Sequence, residues 1–86
     1  MHRDLLSREA QKIYETANPS LAKKIARCLE QLEQKPRFHA NIKPLKGNMT
    51  GYYRYRIGDY RVIYWINDDT EQVMVNTIVH RRNAYE

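Results

Sequence analysis

Cys28 is the only thiol in this 86-residue chain. No internal disulfide can form, no cysteine-based metal cluster is available, and a reducing cytoplasm is the expected setting. Histidine is nearly as scarce: His2, His39 and His80 are dispersed and make a poor metal set. The opening MHRDLLSREAQ has no apolar run long enough for a signal peptide, and no segment approaches a membrane span. Walker, GxGxxG, HExxH and GxSxG patterns are missing, and the acids are too scattered for a paired-carboxylate site. Neither a cofactor nor a metal is therefore expected. There is no repeat, low-complexity tract or linker, so residues 1–86 read as one soluble domain.

Acid is what the middle of the chain lacks most. Residues 1–34 carry six basic and five acidic side chains, and residues 66–86 carry two basic against four acidic. Between them, Lys35, Arg37, Lys43, Lys46, Arg54, Arg56 and Arg61 face Asp59 alone. The whole excess behind the net charge of +5 lies in this middle third. An anionic partner there is the natural inference; plain solubility is the competing one.

What is present reads as two helices followed by strands. Ser7 suits an N-cap, and Ala10, Ile13, Tyr14 and Ala17 recur at helical spacing, predicting a helix over about 8–17. Asn18-Pro19 ends it and opens a second over about 19–34, with Leu21, Ile25, Cys28, Leu29 and Leu32 as its apolar stripe. A short strand over residues 2–6 rests on position only. Lys35 to Asn48 reads as an irregular connector broken by Pro36, Pro44 and Gly47. Tyr52–Ile57 and Tyr60–Ile66 form a hairpin about Gly58-Asp59, where glycine supplies the positive φ of a II′ turn. Glu71–His80 is the last strand. The expected fold is α+β: two N-terminal helices packed on an antiparallel sheet of three or four strands.

Alternation along the hairpin puts Tyr53, Tyr55, Tyr60 and Tyr64 on the face that receives the helices. Arg54, Arg56 and Arg61 fall together on the other face, where no carboxylate accompanies them. Trp65 and Tyr52 remain there as stacking candidates for bases. The end of the last strand adds His80, Arg81 and Tyr85. Cleaving RNA through its own 2′-hydroxyl needs a base, an acid for the 5′-oxygen and cations at the phosphate. Arginine meets the last need but is a poor base. His80 and Tyr85 are the candidates for moving protons: His80 by its ordinary pKa near 6.5, Tyr85 only if cations stabilise its phenolate.

The run KPLKGNMTGYYRYRIGDYRVIYWI, followed by IVHRRNAYE, resembles the RelE/ParE toxins of bacterial and archaeal toxin–antitoxin pairs, over essentially the whole chain. The resemblance implies a RelE-like fold, a cognate antitoxin that wraps the toxin, and a complex that reaches operator DNA through that antitoxin. It also implies one of two activities. RelE-type members enter the ribosome and cut bound mRNA; ParE-type members poison DNA gyrase. Five positions match the RelE type: Arg54 and Arg56 on the first hairpin strand, Arg61, Arg81 and the C-terminal Tyr85. The expectation is thus a ribosome-dependent mRNA endonuclease. Arg61, Arg81 and Tyr85, with His80 as a rival, would be catalytic; Arg54, Arg56 and Lys46 would bind RNA. A gyrase poison and a non-catalytic basic binding module are the alternatives.

Overall fold

The computed structural model describes residues 1–83. In chain order its elements are β1 (Arg3–Leu6), α1 (Arg8–Thr16), α2 (Pro19–Gln34), β2 (Ile42–Pro44), β3 (Tyr52–Ile57), β4 (Tyr60–Asn67) and β5 (Gln72–His80). Short 3₁₀ turns occupy Gly47–Met49 and Arg81–Asn83.

Both helices begin where their capping residues dictate. The Ala10 amide donates to Ser7 Oγ at 3.0 Å, and the Leu21 amide to Asn18 Oδ1 at 2.8 Å. Each satisfies an amide that the first turn leaves without an intrahelical partner. Pro19 occupies the first turn of α2, where its missing N–H costs nothing.

The sheet has five strands in the order β1-β5-β4-β3-β2. That is one more than the upper expectation, and it is mixed: β1 runs parallel to β5, while the other pairs are antiparallel. The parallel pair follows from connectivity. The two helices form a crossover between β1 and the rest of the sheet, which is the kind of connection a parallel neighbour needs. Strand β2 sits inside the stretch expected to be irregular. Three residues ending in proline carry no readable alternation, and proline fits only because β2 is an edge.

One face of the sheet receives the helices. Ala10 of α1 and Ile25, Cys28 and Leu32 of α2 pack against Tyr55, Ile57, Val62, Tyr64, Val73, Val75 and Ile78. Each fully buried aliphatic side chain contributes about 1.5–3 kcal/mol before entropy is charged. Tyr64 is 0% exposed, and its hydroxyl donates to the Pro36 carbonyl at 2.7 Å. Burial first, and Cys28 second, hold that phenol well above its ordinary pKa, so it stays a donor. Burial likewise pushes the Cys28 thiol up, consistent with an inert core residue.

A β-bulge interrupts the β4–β5 ladder. Ile63 pairs with Thr77 and Tyr64 with Val75, so Asn76 is the extra residue. It is pinned from α1: the Ser7 hydroxyl donates to the Asn76 carbonyl at 2.7 Å, and the Ser7 amide to the Val75 carbonyl at 2.9 Å. Beyond the bulge, every β5 side chain has changed face relative to strict alternation.

Candidate functional site

The face turned away from the helices gathers cations row by row. Directly opposed residues of an antiparallel pair share a face, with Cβ atoms about 4.5–5.5 Å apart. Arg56 is opposite Arg61 across β3–β4, and Lys43 is opposite Arg54 across β2–β3. Like charges on opposed residues repel one another across the pair. An arrangement of this kind is favourable when an anion lies over it.

Arg54 and Arg61 are set deep, 8% and 7% exposed, while Arg56 is exposed. Backbone carbonyls orient the deep pair. Arg54 Nη1 donates to the Asn41 carbonyl at 2.7 Å, and Arg61 Nη1 donates to the carbonyls of Gly58 and Tyr60 at 3.3 and 3.2 Å. The II′ turn that makes this possible has Gly58 at φ +63°, while Asp59 keeps a negative φ.

Arg81 reaches the same corner from β5. Its amide donates to the Asp59 carbonyl at 2.6 Å, and its Nε lies 3.7 Å from Asp59 Oδ1. Both side chains of that pair are well exposed, so the pair contributes little to stability. Arg56, Arg61 and Arg81 are therefore brought together at one end of the sheet.

Three other candidates stand differently. Lys46 is exposed and precedes the 3₁₀ turn at Gly47–Met49, beyond the Tyr52 end of β3. Arg56 lies about 13 Å from Tyr52 along that strand, at ~3.3 Å per residue, so Lys46 is at the far end of the cationic face. His80 is not brought to the arginines. It pairs with Tyr60 and packs edge-on against that ring, 5.3 Å between centroids, on the helix-facing side. The bulge at Asn76 is the cause, since unbroken alternation would have turned His80 to the arginine face. Tyr85 lies outside the described residues.

Lys43 is the cation that sequence reasoning passed over. Its face is set by its register with Arg54, and that register exists only because β2 is a strand. The far end of this face carries Tyr52 opposite Trp65, both half-buried. Among the described residues, no group of three or more His, Cys, Asp or Glu could hold a metal ion.

Comparison with known proteins gives concordant findings. Residues 4–85 match the family described as the ParE toxin of the type II toxin–antitoxin system parDE. No curated protein matches the chain. Among solved structures, the archaeal RelE–RelB complex of Pyrococcus horikoshii superposes with a TM-score of 0.81 at 25% identity, covering 96% of this chain and 98% of that one. The RelBE2 toxin–antitoxin complex of Mycobacterium tuberculosis gives 0.79 at 22% identity, covering 93% and 98%. A YoeB/ParE toxin from Agrobacterium tumefaciens gives 0.81 at 19% identity, covering 91% and 96%.

Proposed function

The chain belongs to the ParE toxin family of type II toxin–antitoxin systems, and from that premise we propose that it is a ribosome-dependent mRNA endonuclease held in check by a cognate antitoxin. The observation that carries this reading is the cationic corner, where Arg56 opposes Arg61 and Arg81 is tied to the intervening turn. A scissile phosphate there meets guanidiniums that are already oriented. Arg61, fixed by two backbone carbonyls, and Arg81 at the rim stabilise the charge that builds on the phosphoryl oxygens. Arg54 and Arg56 grip the backbone on either side, and Lys43 and Lys46 extend the grip along the sheet. The 2′-hydroxyl loses its proton as its oxygen attacks phosphorus, and the 5′-oxygen leaves protonated. Tyr85 is the candidate for moving those protons, since His80 is turned to the helix-facing side.

The partner follows from the family. The Pyrococcus and Mycobacterium relatives are toxin–antitoxin complexes, and an antitoxin that covers the cationic face would both neutralise the charge and block the site. Operator DNA would be reached through that antitoxin.

Expression of the chain should arrest growth, and mapping of messages in arrested cells should show breaks within translated mRNA. Arg61→Gln and Arg81→Gln should each slow cleavage on the order of 10²-fold. Tyr85→Phe should abolish cleavage and His80→Gln should leave it intact; loss of cleavage in His80→Gln alone would refute this assignment. The matched family is described as ParE, and this favours gyrase poisoning as the second reading. Loss of supercoiling by purified gyrase with message left intact would establish it and sink the nuclease. A non-catalytic binding module would show neither effect, and Arg61→Ala would then weaken only partner binding.

A further inference from the structure

A second cationic feature lies apart from the corner just described. A groove of about 230 Å³ opens where α2 meets the end of β3, with Lys24, Arg27, Asn41, Tyr55, Arg56 and Gly58 on its walls. No carboxylate lines it. Among the described residues, no ion pair holds Lys24, Arg27 or Arg56.

The local structure explains why three cations meet there. Strand β2 ends its ladder at Ile42 opposite Tyr55, and one further bond runs from the Arg56 amide to the Asn41 carbonyl. Beyond that point the edge of β3 has no neighbouring strand in the sheet, and the polar side of α2 stands over it. Lys24 reaches across to the hairpin turn: a Cβ on Gly58 would meet Lys24 Nζ at 3.3 Å. Lys24 also borders a smaller hollow with Asp59, but that carboxylate already faces Arg81. The groove wall adds the uncharged phenol of Tyr55, whose pKa burial raises. His39 stacks on Tyr55 at 5.2 Å, placing an aromatic surface beside the cations.

Arg56 belongs to both features. It is opposite Arg61 in the sheet and also lines the groove. We propose that this groove is a phosphate track for RNA, along which a strand leaving the arginine corner passes over the β3 edge at Arg56 and lies against Lys24 and Arg27. The inference rests on the ribonuclease reading for its substrate class. RNA fits better than an acidic peptide because the cations lie beside the stacked His39–Tyr55 pair, and cations next to an aromatic surface serve phosphates beside bases.

The test is fluorescence anisotropy of a labelled single-stranded RNA with the full-length chain over a salt series, with polyglutamate as the competing polyanion. Lys24→Gln with Arg27→Gln should weaken RNA binding about tenfold at low salt and reduce the slope of log affinity against log salt by about 1.4, near 0.7 for each lost phosphate contact. Each single substitution should give about half that slope change, which guards against a double variant that folds poorly. Unchanged affinity and slope would overturn the proposal, as would a wild-type chain that binds no RNA. Polyglutamate binding as tight as RNA and lost in the same variants would overturn it in favour of an acidic peptide. A chain that binds RNA through the groove yet cuts no message keeps this inference and sinks the nuclease reading; message cleavage alongside RNA affinity and salt slope that Lys24→Gln with Arg27→Gln leaves unchanged does the reverse.

Discussion

Asp4 should be the most rewarding single residue to neutralise. It lies on β1 with its side chain towards α2, and Oδ1 is fully enclosed without a hydrogen-bond partner among the described residues. Burial is the larger cause and the nearby Glu33 carboxylate the second; together they raise its pKa from 3.8 to about 7. The raised value means that the folded state holds a proton which the unfolded chain has given up. The penalty is absent below pH about 4, grows as pH rises through the interval to about 7, and is fully present above it. A shift of about 3 units corresponds to about 4 kcal/mol at 1.36 per unit, and the part of the carboxyl still touching water reduces this to about 1–2 kcal/mol. Asp4→Asn keeps the shape and removes the charge. It should therefore match the wild type near pH 4 and exceed it by about 1–2 kcal/mol at pH 8, an increase of about 5–10 °C in Tm for a domain of this size. Thermal unfolding followed by circular dichroism at both pH values measures it. Groups remote from Asp4 cancel between the two proteins, so the difference reports Asp4 and its coupling to Glu33. A variant no more stable at pH 8, or a gain that is the same at both pH values, would refute the reasoning.

Other substitutions probe the frame that holds the site. Ser7→Ala removes both the α1 cap and the hydroxyl that pins the bulge, and should cost about 1–2 kcal/mol in urea unfolding. Tyr64→Phe leaves the Pro36 carbonyl without its donor and should cost about 1 kcal/mol, read by the same assay. Gly58→Ala meets Lys24 Nζ at 3.3 Å, which the flexible side chain can vacate, but φ +63° should still cost about 1 kcal/mol. Cys28 should resist a thiol reagent in the native protein over neutral to mildly alkaline pH and react fully in denaturant, because burial raises its pKa.

Much of this molecule is legible residue by residue. The caps at Ser7 and Asn18, the α2 stripe and the Gly58-Asp59 turn are short-range facts, decided within four residues of chain. Their outcomes agree with the pattern because local hydrogen bonds and helical periodicity suffice to specify them. The tyrosines divide as alternation predicts: Tyr55 and Tyr64 are buried under the helices, with Tyr53 and Tyr60 packed beside them. Strand β2 escapes because three residues ending in proline hold no period, and Lys43 escapes with it.

The sequence by itself determined that Arg54, Arg56 and Arg61 share one face, since a two-residue turn fixes register and the side-chain period is two. It also determined that the middle third of the chain, residues 35–65, carries Asp59 as its one acid. Which distant residues join that face is settled by long-range contacts. Arg81 arrives because its amide bonds to Asp59, a contact between the hairpin turn and the residue after β5 that no local rule contains. His80, one residue earlier, is turned away because one extra residue at Asn76, held by Ser7 from the far side of the chain, inverts the phase of β5. Lys24, Arg27 and Arg56 line one groove only because the open end of β3 lies beside α2. A period read along one strand survives only while its ladder is unbroken, and the break here is set by a contact 69 residues away in the chain.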